Sequence, residues 1–198
     1  MTDLDTAGLA AQHTWNTRYS EHTSTLRVAP VLRDYQHLLP RLGRALDLAC
    51  GLGGNALCLA AHGLDTWAWD VSDVAVARVQ NLAQQRGLTL HAEVRDVVAA
   101  PPAPASFDVI VVSRFLERAL APALMDALRP AGLLLYQTFT AVTVGEAYGP
   151  RNPAYRLAPQ ELLTLFRGLH VVVYREEGDI GDSTRGLRNE ALLIAQKG

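Results

Sequence analysis

The chain has 198 residues, 49% of them apolar and 19% charged, with a formal net charge of −2. That length favours a single domain over 1–198 with a buried core, and the composition excludes a disordered chain. So small a charge provides no global field to draw in nucleic acid or an anionic membrane, and neither is expected as a partner.

Residues 1–43 read as an N-terminal helical cap segment, and within it 26–42 carry apolar residues at helical spacing, interrupted at Pro40. A short buried strand follows at 44–50. A helix over 55–63 stops at Gly63. A second strand covers 65–71, and a helix over 72–87 opens on Ser72 as N-cap and closes at Gly87. A third strand is expected at 89–97 and a fourth, mostly apolar, at 107–113. A helix over 119–132 ends at Pro130 and Gly132, and a fifth strand occupies 133–139. Residues 140–159 are too long for an ordinary connection. A helix at 158–168 precedes two strands, 170–177 and 189–196, with no helix between them, so these two pair as an antiparallel hairpin. The expected fold is α/β and doubly wound: a mainly parallel seven-stranded sheet with a C-terminal antiparallel hairpin, of Rossmann-like type.

The six histidines are scattered without metal-ligand spacing, so no metal is expected. Cys50 and Cys58 fit neither a redox pair nor a zinc knuckle, and Cys50 reads as a small buried hydrophobe. The start MTDLDTAGLAAQHTW has no basic stretch followed by an apolar one, and no apolar run reaches membrane-spanning length. A cytoplasmic protein is expected.

The chemistry centres on RALDLACGLGGNALCLA, residues 44–60. Gly51-Leu52-Gly53-Gly54-Asn55-Ala56 matches G-x-G-x-x-G/A, and Asp70 lies 19 residues after Gly51, where a ribose-binding acid belongs. A dinucleotide would bring a pyrophosphate to this turn, and Asp47 at the end of the preceding strand would repel it. A cofactor carrying an ammonium and a sulfonium is attracted by the same acid.

LDLACGLGGNALCLA followed by WDVSDVAVARVQNLA resembles the first two motifs of class I S-adenosylmethionine (SAM)-dependent methyltransferases, and is most similar to the small tellurite-resistance type. The resemblance runs through RDV (95–97), FDVIVVS (107–113) and LRPAGLLLY (128–136), roughly residues 13–139 in all. It departs at Ala49, where that family commonly has glycine. The resemblance implies SAM as cofactor and S-adenosylhomocysteine as product. Asp47 would face the methionyl end, the alternative being an acid satisfied by backbone amides. Ala49, Gly51 and Gly53 would lie against the ligand, and Asn55 would cap the next helix or touch the cofactor. Asp70 would accept both ribose hydroxyls, or else cap the helix beginning near Asp73. Val71 would pack on the adenine, Asp96 would accept from its amino group beside the Val97 amide, and Ser113 would sit under the transferring methyl. Trp15, Arg18 and Tyr19 in WNTRY resemble a segment that closes over SAM, with Arg18 on the methionyl carboxylate or on the surface of an amphipathic helix.

The expected reaction is methyl transfer to a small acceptor, anionic or a soft nucleophile, since no His-Asp pair presents itself as a general base. Residues 140–159 are expected to form a substrate lid. Arg114, Tyr148 and Arg151 would position the acceptor, with Arg118, Tyr155 and Arg156 at the same mouth, the alternative being a flexible loop with solvated arginines. An NAD(P)-dependent reductase of the short-chain type would need Tyr-x-x-x-Lys, and the one lysine, Lys197, has Leu193 in the tyrosine's place. A base amino-methylase would carry Pro-Pro-aromatic where Arg114-Phe115-Leu116 stands. A SAM-binding regulator without chemistry would share the cofactor motifs. The protein is expected to be a monomer or homodimer.

Overall fold

The computed structural model describes residues 4–21, 26–146 and 148–198; His22 and Ala147 lie outside them. In chain order the elements are α1 (Thr6–Glu21), α2 (Pro30–Arg33), β1 (Arg44–Leu48), α3 (Gly54–His62), β2 (Asp65–Asp70), α4 (Asp73–Gln85), β3 (His91–Val94), β4 (Phe107–Ser113), α5 (Ala121–Ala127), β5 (Leu128–Phe139), α6 (Glu161–Leu165), β6 (His170–Arg175) and β7 (Glu190–Gln196). The sheet order is β3-β2-β1-β4-β5-β7-β6. The first five strands run parallel, and β7 is antiparallel to both β5 and β6. This is the doubly wound sheet with a terminal hairpin that the sequence predicts.

Strand periodicity sorts the core. Leu46, Leu48, Ile110, Val112, Leu134, Tyr136 and Leu193 pack on one face with α5 and α6. Ala45, Val109, Val111, Leu133, Leu135, Leu192 and Ile194 pack on the other, against Val31, Leu32 and Leu59. Side chains alternate across a strand, so Asp47, Ser113, Gln137 and Glu190 share the second face. Register sets their level: Leu48 pairs Val112, Ser113 pairs Gln137, and Phe139 pairs Glu190. The sheet therefore gathers a row of polar side chains on one face, at the carboxyl ends of its parallel strands. Ligands of open α/β sheets bind there.

Several elements differ from expectation. Residues 26–42 form only the short α2 and a 3-10 turn at Gln36–Leu38, because Ala29 N donates to Asn55 of α3, Val31 N donates to Gln137 of β5, and Leu39 is extended before Pro40. The helix expected over 119–132 ends at Ala127. Leu128 is fully buried and pairs with Phe107, so β5 begins there and Pro130 falls inside it, next to a register shift and Ala131 at φ 61°. Sheet pairing has displaced the last helical turn, and Pro130 disfavours helix at Arg129 in any case. β3 stops at Val94, which leaves Asp96 and Val97 in the loop after it. α6 is shorter than 158–168 because Gln160 takes φ 59°. Ser72 caps α4 as expected, its Oγ accepting from Ala75 N at 3.1 Å.

No helix among the described residues is long and apolar enough to cross a membrane. No group of His, Cys, Asp and Glu among them is arranged to hold a metal.

Candidate functional site

The glycine turn links β1 to α3. Gly51 and Gly53 take φ 52° and 82°, and Ala49 takes φ 55°. Ala49 thus occupies a conformation that favours glycine, at a local cost on the order of 1–3 kcal/mol. A methyl group on Gly53 would lie 2.4 Å from a Val79 methyl. One on Gly54 would lie 2.0 Å from the Arg27 carbonyl oxygen. The turn is therefore closed from below by α4 and from the side by the 26–29 segment.

Asp70 organises this turn. One carboxylate oxygen accepts from Gly51 N at 2.8 Å and the other from Ser72 N at 2.9 Å. The α4 cap is Ser72, so Asp70 does not serve as the cap. Burial raises the Asp70 pKa, while the Ser72 and Gly51 amides oppose the rise.

Asp47 is 0% exposed. It accepts from Ala56 N in the first turn of α3 at 2.9 Å, and from Asn55 Nδ2 at 3.4 Å. Burial pushes its pKa up to about 7, and the nearby Asp70 adds to the rise. The backbone-amide partner weighed in the sequence reading is present. The cap expected of Asn55 is not: Gly53 is the N-cap of α3. Asn55 instead accepts from Ala29 N at 2.9 Å and donates to Ser113 Oγ at 3.0 Å. Its amide joins the N-terminal segment, β1 and the end of β4.

Helix α1 lies across the loops that follow β1, β2 and β3. The Tyr19 hydroxyl stands over the glycine turn, 3.0 Å from where a Gly51 Cβ would be. Asn16 donates to Asp73 Oδ1 at 2.6 Å and accepts from Ser72 Oγ; Gln12 donates to the Val71 carbonyl at 3.0 Å. Gly8 passes close to Asp96. Residues 8, 12, 16 and 19 share one helical face, so a polar stripe reads three loops at once. Burial holds the Tyr19 phenol well above its usual pKa, with Asp70, Cys50 and Asp47 adding to the rise, so it is a neutral donor. Tyr19 stacks on Trp15, and the Arg18 guanidinium lies 4.8 Å from the Trp15 ring centroid. Asp96 accepts from Val98 N at 2.9 Å and Ala99 N at 3.3 Å, while Val97 is buried beside it. Burial also raises the Cys50 thiol pKa, in keeping with a small hydrophobe.

The 140–159 segment is more ordered than its glycines and prolines suggest. Thr140 and Leu157 form a bridge, and a 3-10 turn spans Pro153–Tyr155. Arg118 donates to Glu161 and to the Ala154 and Arg156 carbonyls. Arg156 donates to the Pro150, Thr140 and Tyr148 carbonyls. Placing these two arginines at an acceptor mouth needs correction: their donors staple the loop to itself and to α6. Arg118→Ala is expected to cost about 1–2 kcal/mol, the scale of a few charge-assisted bonds, and to speed proteolysis within 145–155. Cleavage at the wild-type rate would show that the loop is held elsewhere.

Arg151 is exposed and lines a cavity of about 440 Å³ with Ala141, Thr143, Gly149, Pro153 and Arg156. Among the described residues no hydrogen bond or ring contact joins it to Tyr148 or Arg114. Those two do meet. The Arg114 guanidinium lies 5.5 Å from the Tyr148 ring centroid and 5.9 Å from that of Phe139. Glu190 and Gln137, which the sequence reading missed, complete this corner of the site. Gln137 is a polar interruption in an apolar strand, which was the available signal, whereas Glu190 opens β7 and carries no such mark.

Residues 45–132 match the family model described as a methyltransferase domain. Over 57 residues the chain is 46% identical to Hemagglutinin 1 of Eikenella corrodens, covering 29% of this chain and 19% of that protein. Over 89 residues it is 29% identical to the probable S-adenosyl-L-methionine-dependent methyltransferase TehB of Haemophilus influenzae, covering 43% of this chain and 31% of that protein. The chain thus spans less than a third of the length of these curated relatives. The crystal structure of TehB from Haemophilus influenzae superposes with TM-score 0.70 at 21% identity, over 93% of this chain and 67% of that one. The [4+2]-cyclase SpnF superposes with TM-score 0.71 at 18% identity, over 100% and 98% of the two chains. The fold is that of the class I SAM-dependent methyltransferases. The sequence match and the superposition both show a resemblance to TehB.

Proposed function

We propose that this chain is a cytoplasmic SAM-dependent methyltransferase acting on a small acceptor, anionic or a soft nucleophile. The observation that carries the reading is the glycine turn, clamped by Asp70 through Gly51 N and flanked by the buried Asp47. The residues fit SAM. Each Asp70 oxygen uses one lone pair on a backbone amide and keeps acceptor capacity for a vicinal diol. The carboxylates of Asp47 and Asp70 suit a ligand with positive charge and disfavour a pyrophosphate. Tyr19 offers a neutral donor above the turn. Asp96, Val97 and Val71 would hold the adenine, and Ser113, at the end of β4, would lie by the reacting centre.

When bound, SAM supplies a methyl activated by a sulfonium, with a neutral thioether as leaving group. The chain's own part is to orient and to exclude water. α1 covers the loops that would hold the cofactor, and Asn55 fixes Ser113 against Asp47. Holding two reactants in line removes several kcal/mol of barrier without a dedicated base.

Isothermal calorimetry with SAM, S-adenosylhomocysteine, NAD and NADP tests the reading. Binding of the first two alone is expected; tight NAD binding without SAM binding overturns it. A cofactor-binding protein that does not transfer methyl is the second reading, favoured by the likeness to a cyclase over the whole chain. Appearance of S-adenosylhomocysteine across a panel of small thiols, carboxylates and oxyanions separates the two.

A further inference from the structure

Arg114 directly follows Ser113 at the end of β4, and its backbone takes φ 55°, which few non-glycine residues adopt. The surroundings hold it there. Arg114 N donates to the Gln137 carbonyl at 2.8 Å, and Arg114 Nε donates to Glu190 Oε1 at 3.0 Å. Glu190 is 4% exposed, and its other oxygen accepts from Gln137 Nε2. Gln137 Oε1 in turn accepts from Val31 N at 2.7 Å. A buried amide and a buried carboxylate thus fix one edge of this guanidinium and tie it to the N-terminal segment.

The other edge differs from those of Arg118 and Arg156. The terminal nitrogens of Arg114 have no hydrogen-bond partner among the described residues, and its side chain is 47% exposed. The guanidinium lies near the Phe139 and Tyr148 rings. The free edge of Arg114 matches the planar fork of a carboxylate.

We propose that Arg114 forms a receptor for a carboxylate on the methyl acceptor, whose apolar body packs on the exposed Tyr148 ring, with Glu190 and Gln137 as positioning residues. The acceptor class is then a small carboxylate with an apolar body. This rests on the methyltransferase reading, and the test separates the two.

Benzoate and benzamide are titrated into the protein, with and without saturating S-adenosylhomocysteine. Benzoate should bind at least about ten-fold more tightly, as expected for a charge-assisted pair. Arg114→Gln should abolish most of that preference while leaving S-adenosylhomocysteine affinity unchanged. Arg114→Lys, which keeps the charge and gives up the planar fork, should lower it by a few-fold and serves as the conservative variant that keeps its fold. Equal binding of the two probes, no benzoate binding at millimolar concentration, or a preference that survives Arg114→Gln overturns the receptor. Loss of S-adenosylhomocysteine binding with the benzoate preference intact removes the methyltransferase reading and leaves the receptor standing.

Discussion

Asp70→Ala is expected to weaken SAM binding by about 1.5–3 kcal/mol, roughly ten-fold to more than a hundred-fold, as hydrogen bonds to a charged group typically contribute. The effect has two sources. The carboxylate is the proposed ribose partner, and it also holds Gly51 N and Ser72 N in place. Without it the turn loses the anchor for Gly51 at φ 52°. Asp70→Asn separates the two sources. It can still accept from one amide, so the turn should stay formed while the charged interaction is lost. Calorimetry on variants shown to be folded by circular dichroism measures both effects. SAM affinity at the wild-type level in folded Asp70→Ala would reduce this residue to a structural tie within the turn.

Asp47 should make the protein lose stability as pH rises. Its carboxyl is held to about 7 in the fold, against 3.8 for an ordinary aspartate. Between those values the folded protein keeps a proton that the unfolded chain has released. Stability therefore declines from about pH 4 to pH 7 and levels off above, where both states are ionised. At 1.36 kcal/mol per unit, this one group would contribute a decline on the order of 4 kcal/mol, an upper value for a group with polar neighbours. Asp47→Asn removes the titration. Urea unfolding of both proteins between pH 5 and 8 should show the wild type losing ground to the variant steadily until about pH 7. A constant difference across that range would mean that Asp47 is ionised throughout. A cationic ligand favours the charged form, so SAM should bind more tightly as pH rises through the same range.

Fold class, the terminal antiparallel hairpin and the position of the glycine turn were legible because they follow from periodicity and spacing. An acid in an apolar strand, a glycine turn and a second acid at a fixed offset leave few alternatives. Residues whose role depends on a distant partner were not legible. Asn55 has the residue type and position of a helix cap, yet Gly53 caps α3 and Asn55 works between Ala29, Asp47 and Ser113. Arg114, Arg118 and Arg156 look alike in one dimension, and only Glu161 and the loop carbonyls show that two of them are structural. LRPAG has the punctuation of a helix end, but the burial of Leu128 against Phe107 starts a strand there.

Helix α1 runs for 16 residues yet buries only Gly8. Its hold on the loops is mostly polar: Gln12 on Val71, Asn16 on Ser72 and Asp73, the Tyr19 hydroxyl over Gly51. Detaching such an element exposes little apolar surface, so it needs far less free energy than unfolding the sheet beneath. The ligand of the proposed function would then be held by a latch whose strength is set apart from global stability. Its residence time would be lengthened or shortened by exchanging side chains on α1 alone, with the seven strands left undisturbed.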